Sequence, residues 1–255
     1  IIFFSYQNCT LLSILSMCQS IKLLLLVLSI NGFHGVSTDD QASRKYPLVV
    51  STWPFKEAVT AAWEAANDGF SAVDSVVEGC SACEELRCDG TVGPGGSPDE
   101  EGETTIDALV MNGATMEVGA VAAMRYVTDG IKAAKLVMDH TLHTLLVGEK
   151  ASTFAISMGL SGPADISSPE SIRKWRDWKE NNCHPNFRKN VSPVNKCGPY
   201  EPPEGRKCFP DQMRRNPVGA GNHDTISMAV FDLMGRIAVG TSSNGATFKV
   251  PGRLD

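Results

Sequence analysis

The sequence is short of positive charge, histidine and aromatic residues. Its 23 lysines and arginines are outnumbered by 29 aspartates and glutamates, which gives a formal net charge of -6. Nucleic-acid binding draws much of its energy from Lys and Arg side chains that neutralise phosphates, so this balance argues against a nucleic-acid partner. The five histidines are scattered, and no His/Cys set has the spacing of zinc ligands. We therefore expect no metal site.

The N-terminal region lacks an initiating methionine and a long uninterrupted apolar run. Met17 precedes Lys22 and an apolar stretch at residues 23–30, and small residues follow up to Ser37. A basic start, a short apolar core and a small-residue exit are the parts of a secretory signal peptide. We predict that residues 1–37 are a leader with a signal peptide that starts at Met17 and is cleaved near Ser37, and that no membrane association remains after its removal. The alternative, a spanning helix, needs about 20 mostly apolar residues.

Such a leader would direct the chain to an oxidising compartment, where cysteines can form disulfides. The chain has 8 cysteines, and those after residue 37 are Cys80, Cys83, Cys88, Cys183, Cys197 and Cys208. In an oxidising compartment, near neighbours pair, so we predict the disulfides Cys83–Cys88 and Cys183–Cys197 and leave Cys80 and Cys208 open. Cys80 and Cys83 also have redox CxxC spacing, but a helical pattern leads into them where a redox site needs a strand.

Local patterns predict alternating strands and helices. Ser51-Thr52 and Ser71 are candidate N-caps, and Asn112-Gly113 between apolar runs is a strong hairpin signal. Residues 88–103 have the composition of a loop. The predicted strands are residues 48–50, 105–111, 114–118, 144–147, 226–232 and 237–241, and the predicted helices are residues 52–69, 71–77, 130–140 and 151–158.

Three short motifs suggest other roles. Gly93-Pro94-Gly95-Gly96 resembles a phosphate-binding loop, but acidic residues follow and no strand–loop–helix context surrounds it. Trp175 and Trp178 interleave with basic residues, but the run is short and mixed in sign, which favours a surface helix packing two indoles on the body. Asn190 begins a glycosylation sequon that is weakened by a following Pro193.

Residues 161–224 are rich in Pro, Gly, Asn and charge, which predicts a linker that is loosest at residues 205–222. Strand-like alternation returns at Thr225, so His223-Asp224-Thr225-Ile226 lies at a junction. If the chain is cut before Thr225, the new α-amine, with a pKa of about 7.7–8.0, can act as base for the Thr hydroxyl. The same hydroxyl can make the cut by attacking the Asp224 carbonyl. The alternative is that Asp-Thr merely begins a strand.

Several segments in the same order resemble the glycosylasparaginase (aspartylglucosaminidase) family of N-terminal nucleophile hydrolases. They are Val49-Val50-Ser51-Thr52-Trp53-Pro54-Phe55, Cys88-Asp89-Gly90-Thr91-Val92-Gly93, Gly96-Ser97-Pro98-Asp99-Glu100, His143-Thr144-Leu145-Leu146-Val147-Gly148-Glu149, Cys197-Gly198-Pro199-Tyr200, His223-Asp224-Thr225-Ile226, Gly240-Thr241-Ser242-Ser243-Asn244-Gly245 and Phe248-Lys249-Val250-Pro251-Gly252-Arg253. The resemblance implies an α+β, four-layer αββα fold without a cofactor. It also implies a lysosomal enzyme, built as a homodimer of αβ pairs, that hydrolyses the amide between an asparagine side chain and N-acetylglucosamine in glycoprotein degradation.

The resemblance also assigns roles to residues. Thr225 is the implied nucleophile, with residues 38–224 forming an α chain that ends at Asp224. Trp53 lines the substrate pocket, and Arg253 grips the substrate α-carboxylate with its planar fork of donors. Thr91 replaces a Ser near the nucleophile's amine, and Ser243 replaces a Thr beside the nucleophile. Both exchanges keep a hydroxyl.

The C-terminal part departs from the family pattern. Leu254 and Asp255 fall before the family's next Asp and its later Thr-Gly pair, so residues 225–255 are expected to be an incomplete β chain. A lost oxyanion donor can cost about 10²–10³ in rate, so we expect this chain alone to be inactive. Two alternatives remain: an asparaginase or isoaspartyl peptidase of the same superfamily, and a secreted homologue that binds without turnover.

Overall fold

The computed structural model describes residues 46–202 and 225–254, together with the backbone of residues 2–3. The strands are β1 (Ile2–Phe3), β2 (Leu48–Ser51), β3 (Ile106–Asn112), β4 (Val118–Met124), β5 (Leu145–Val147), β6 (Ser192–Pro193), β7 (Tyr200–Glu201), β8 (Ile226–Phe231) and β9 (Ile237–Ser243). The helices are α1 (Lys56–Asn67), α2 (Ala72–Leu86), α3 (Gly130–His140), α4 (Gly148–Ser157) and α5 (Pro169–Glu180). The predicted α+β class is confirmed. The predictions for Cys208, Asp224 and Asp255, and for the leader apart from residues 2–3, lie outside the described residues.

A seven-stranded sheet forms the centre of the fold, in the order β1-β2-β8-β9-β3-β4-β5. The β8–β9 hairpin lies in the middle, antiparallel to β2 on one side and to β3 on the other. In its register Ile226 lies opposite Ser242. Thr225, one residue before β8, is therefore carried to the same end of the sheet as Ser243.

Helices cover one face of this sheet. Residues Ile226, Met228 and Val230 alternate along β8 and are buried against α2, as the period of two in a strand requires. Gly79 allows the close approach, because a Cβ there would lie 2.7 Å from the Met228 sulfur. On the opposite face, half-buried side chains such as Ala229 line an open apolar hollow of about 420 Å³. The four-layer arrangement stays a prediction.

Most predicted elements are confirmed. Ser71 caps α2 by accepting a hydrogen bond from the Asp74 N–H, and α3 has the predicted bounds. The surface helix predicted around the two tryptophans is α5, in which Trp178 is buried and donates its indole N–H to Pro185 O at 2.7 Å. None of the helices in the described part of the chain is long and apolar enough to span a membrane.

Two local predictions are wrong. Ser51-Thr52 does not cap α1; the helix begins at Lys56 after Phe55, because Ser51 belongs to β2 and the Thr52 hydroxyl bonds the β8 backbone instead. The hairpin after Asn112 exists, but residues 114–118 are not its second strand. The Asn112 side chain accepts the Ala114 N–H at 3.0 Å, which closes a longer turn before β4.

Both predicted disulfides are present. Cys83–Cys88 ties the end of α2 to the loop that follows, with Cα atoms 5.2 Å apart. Cys183–Cys197 joins the segment after α5 to the residues before β7, with Cα atoms 5.3 Å apart. Cys80 is buried and forms no disulfide, and burial, reinforced by Glu84 and Asp129, raises the pKa of its thiol. A buried thiol of this kind behaves as a small apolar side chain.

Candidate active site

Two hydroxyls from neighbouring strands meet at the end of the central hairpin. The Thr225 Oγ1 donates a hydrogen bond to the Ser243 Oγ at 3.0 Å. Ser243 is buried and its Oγ also accepts the Gly245 N–H at 2.8 Å, which fixes its rotamer. Thr225 is only half buried. The pair therefore presents one oriented and partly accessible hydroxyl.

Thr52 fixes the chain that leads into β8. Its Oγ1 donates to Thr225 O at 3.3 Å and accepts the Ser227 N–H at 3.1 Å, and its own N–H donates to Ser227 O at 3.0 Å. These bonds extend the β2–β8 ladder past Ser51, up to the residue that precedes β8. Trp53 follows immediately and is half buried. A predicted pocket residue is thus one position away from a residue bonded to Thr225.

The loop after α2 lies against the end of β9. Thr91 is buried, and its carbonyl accepts the Asn244 N–H at 2.8 Å. The Thr91 hydroxyl donates to Asp89 Oδ1 at 2.7 Å. The Cys83–Cys88 disulfide begins this loop, so covalent and backbone bonds both hold Thr91 one residue away from Ser243.

A buried ammonium shapes the turn after β9. The side chain of Lys249 is 2% exposed, donates to Asn244 O at 2.8 Å, and lies 3.8 Å from Asp107 Oδ2. A charge can be buried only when it is paired and hydrogen-bonded, and Asp107, also buried, lies opposite Ser243 in the β3–β9 register. Arg253 lies further along, exposed, in a turn closed by its N–H to Val250 O at 3.0 Å.

A buried carboxyl group lies on the helical side of β9. Glu84 accepts the N–H groups of Gly130 at 2.7 Å and Ile131 at 3.0 Å, and it also accepts the hydroxyl of Ser242. Burial, and secondarily the nearby Asp129, raise the pKa of Glu84 to about 8, against the hydrogen bonds that lower it. Glu84 therefore joins the start of α3 to the residue before Ser243.

Comparison with known proteins identifies the family. The sequence profile of the asparaginase family matches residues 24–255. This chain belongs to the asparaginase family. A probable isoaspartyl peptidase/L-asparaginase 3 of Arabidopsis thaliana is 67% identical over 224 residues, which is 83% of this chain and 62% of that protein. N(4)-(beta-N-acetylglucosaminyl)-L-asparaginases of Rattus norvegicus and Mus musculus are 48% and 47% identical over 84% and 92% of this chain, and over 62% and 66% of their own lengths.

The chain spans about three-fifths of the length of the first of these relatives, since the share is 62% for both the Arabidopsis and the rat protein. The family resemblance drawn from the sequence is confirmed. The individual roles of Thr225, Trp53, Arg253, Thr91 and Ser243 remain predictions.

The structure of this asparaginase-family chain brings some predicted residues together and adds others. Thr225 and Ser243 are in direct contact, and Thr91 lies one backbone hydrogen bond away. Sequence reasoning missed the role of Thr52, which its residue type assigns to a helix cap, and the buried carboxyl group of Glu84. One signal for Glu84 was available: it falls four residues after Cys80 on the apolar stripe of α2, where an unpaired charge would be costly.

Proposed function

We propose that the protein hydrolyses the amide bond of N4-(β-N-acetylglucosaminyl)-L-asparagine after cleaving itself between Asp224 and Thr225. One observation carries this proposal: Thr225, the residue just before the central strand β8, is half buried and its hydroxyl is hydrogen-bonded at 3.0 Å to the hydroxyl of the buried Ser243. A hydroxyl that is oriented and partly accessible at the junction before a strand has the geometry that a nucleophile needs.

Cleavage begins with attack of the Thr225 Oγ1 on the carbonyl carbon of Asp224. The peptide C–N bond breaks, the acyl group moves to oxygen as an ester, and the nitrogen takes a proton to become a free α-amine. Water then hydrolyses the ester, which leaves a carboxylate on Asp224 and restores the hydroxyl. Ser243 orients that hydroxyl throughout, because its own position is fixed by the Gly245 N–H.

Turnover uses the hydroxyl a second time. The Thr225 oxygen attacks the side-chain amide carbonyl of the substrate, and its proton passes to the α-amine, which is partly neutral at working pH. The leaving glycosylamine takes that proton, and water releases aspartate from the ester. Arg253 binds the substrate α-carboxylate, since a guanidinium can donate two parallel hydrogen bonds to a carboxylate. Trp53 lines the pocket.

A second candidate is an isoaspartyl peptidase or asparaginase. The observation that favours it is the Arabidopsis relative, which is 67% identical and is described as a probable isoaspartyl peptidase/L-asparaginase. All these substrates share a β-aspartyl amide and differ in the leaving amine. We rank glycosylasparagine first because the two mammalian relatives are named as N(4)-(beta-N-acetylglucosaminyl)-L-asparaginases and because Trp53-Pro54-Phe55 belongs to a segment that resembles the glycosylasparaginase family.

The proposal also covers the cellular compartment, the four-layer fold and the assembly of the protein. The two disulfides are consistent with passage through an oxidising compartment, which supports secretory routing to a lysosome. The half-buried face of the sheet, with Ala229 and Val239, supports packing on a second sheet in a four-layer fold. A homodimer of αβ pairs completes the proposed assembly.

The test uses protein expressed from the complete reading frame. We expect two bands on a denaturing reducing gel, and the fragment from the cut should begin Thr-Ile-Ser-Met. Thr225→Ala should give one uncut band and no turnover, while Thr153→Ala, an exposed threonine on α4, should behave as wild type. Glycosylated asparagine, free asparagine and an isoaspartyl dipeptide should be compared. Uncut protein that still hydrolyses glycosylasparagine would contradict the proposal, and preference for the dipeptide would favour the second candidate.

A further inference from the structure

The carboxyl group of Glu84 bridges the start of α3 and the strand β9. On one side it receives the N–H groups of Gly130 and Ile131, the first two residues of α3. On the other side it receives the Ser242 hydroxyl from β9. Glu84 and Ser242 are each 1% exposed, so the whole bridge is shielded from water.

This bridge lies directly behind the proposed catalytic pair. Ser242 and Ser243 are consecutive in a strand, so their side chains point to opposite faces of the sheet. Ser242 faces the helices and Ser243 contacts Thr225 on the other face. The Ser242–Glu84 hydrogen bond on the helical face therefore also fixes the β9 backbone that places the Ser243 side chain against Thr225.

The cross-strand register transmits the same constraint. Ser242 lies opposite Ile226, the residue after Thr225, in the β8–β9 ladder. Ser243 lies opposite Asp107 in the β3–β9 ladder. A shift of Ser242 toward or away from α2 would thus move both partners of the Thr225–Ser243 hydrogen bond together with their strands.

The charges around Glu84 come from α3 and the turn before it. Asp129 on the turn before α3 raises its pKa, and the ammonium of Lys132 on α3 is paired with Asp129 at 2.8 Å. Cys80 is on the same helix as Glu84 and is also buried. The two amide N–H groups can only donate, whereas the Ser242 hydroxyl can donate or accept, so the bridge to β9 survives either protonation state of Glu84.

We infer that Glu84 is a positioning residue for the nucleophile, and that it acts through Ser242 to hold Ser243 and Thr225 in register. The inference rests on the proposed role of Thr225. Glu84 touches neither substrate nor reacting atoms; it fixes the strand from the helical side. Its contribution should therefore appear in kcat and in the rate of self-cleavage, and not in substrate affinity.

The decisive variant is Ser242→Ala in protein from the complete reading frame, because it removes the link to β9 and leaves both amide bonds of Glu84 intact. We expect kcat and the cleavage rate to fall by about 10- to 100-fold, the loss that a small misplacement of a reacting group can cause. KM should stay unchanged. A control is Ser81→Ala, which removes the hydroxyl that donates to Asp129 at 2.8 Å in the same cluster but does not touch β9. That variant should keep the wild-type kcat.

A double-mutant comparison tests the route of action. Glu84→Gln should lower both stability and kcat, since an amide cannot accept both α3 N–H groups and the Ser242 hydroxyl. Adding Ser242→Ala to Glu84→Gln should lower kcat by less than the sum of the two single losses, because both changes act on the same link between α2 and β9. Glu85→Gln, an exposed neighbour on α2, serves as the matched control.

The outcomes separate the two proposals. Wild-type kcat in Ser242→Ala, an equal loss in Ser81→Ala, or additive losses in the double variant would each overturn the positioning role. Wild-type protein that stays uncut at Thr225 but is active would instead overturn the proposed function. If Ser242→Ala does not fold, the Glu84→Gln to Glu85→Gln comparison decides, with a change in KM rather than kcat counting against the inference.

Discussion

The indole of Trp178 stacks on the ring of Phe248, with ring centroids 4.5 Å apart and planes inclined by 10°. Trp178 belongs to α5, and Phe248 belongs to the segment between β9 and Arg253. Phe248 adopts a left-handed φ of 63° and donates its N–H to Pro98 O at 2.7 Å. A helix before the proposed cut therefore holds a segment after it, and that segment leads to the residue expected to bind the substrate carboxylate.

Replacing Trp178 should weaken substrate binding. An aromatic pair contributes about 0.5–1.5 kcal/mol beyond the area it buries, and part of that holds Phe248 in an unfavourable φ. In Trp178→Ala we expect KM for substrates with a free α-carboxylate to rise by about 3- to 10-fold, as 0.6–1.4 kcal/mol implies, with a smaller change in kcat. Steady-state kinetics measure both. Trp63→Ala, which removes an indole exposed on α1, is the control. An unchanged KM would contradict the coupling.

The cleavage rate and kcat should depend on a hydroxyl at position 243, whether a serine or a threonine carries it. Ser243→Ala leaves Thr225 Oγ1 without its hydrogen-bond acceptor, which costs about 1–2 kcal/mol and lowers the cleavage rate and kcat by about 5- to 30-fold. Ser243→Thr restores a hydroxyl and should recover most of the rate. Appearance of the fragment beginning at Thr225, followed on a gel over time, measures the first step. Equal rates in Ser243→Ala and wild type would show that the contact is incidental.

Glu84 should make stability depend on pH. Its folded pKa of about 8 lies above the ordinary glutamate value of 4.5, so between these values the folded state keeps a proton that the unfolded state has lost. The free energy of unfolding contributed by this group is therefore full below pH 4.5 and declines as pH rises toward about 8. Urea denaturation of a Thr225→Ala background, which avoids the cut, should show that decline. Adding Glu84→Gln should flatten it over that window, and an equal slope in both proteins would contradict the assignment.

Gly96 should not tolerate a side chain. A Cβ at Gly96 would lie 1.8 Å from Asn244 Oδ1, and the Asn244 side chain is held by its donation to Thr105 O at 2.9 Å. Gly96→Ala should lower the free energy of unfolding by about 1–3 kcal/mol, the usual range for overpacking a buried site. Chemical denaturation measures the loss. The double variant Gly96→Ala/Asn244→Ala should recover part of it, and a purely additive result would place the strain elsewhere.

Local signals in the sequence predicted much of the fold. Ser71 and Asp74 predicted the start of α2, and the pattern from Gly130 to His140 predicted α3. Alternating apolar and polar residues predicted β8 just after Thr225. The failures come from tertiary partners that a local pattern does not contain. Thr52 has the residue type of a helix cap, yet its hydroxyl is hydrogen-bonded to the β8 backbone at Ser227, 175 residues away.

In the candidate site too, local sequence signals predicted some residues, while others depend on tertiary partners. Thr225 could be selected because its chemistry and its junction are both local in sequence. Glu84 and Lys249 could not be assigned partners, because Ser242 and Asp107 reach them only once the sheet order is known. The β8–β9 hairpin itself brings Ser243 beside Thr225. Its insertion between β2 and β3 is a long-range pairing, and that pairing brings Thr52 and Asp107 to the same end of the sheet.

The central place of that hairpin has a consequence for how the protein is assembled. Both described disulfides lie before Thr225, so after the proposed cut the two pieces share no described covalent link and are held by the β2–β8 and β3–β9 ladders. A peptide supplied separately from Thr225 onward would have to enter the middle of a sheet rather than add to its edge. The uncut chain thus acts as its own template, and denaturation after maturation should be a one-way event.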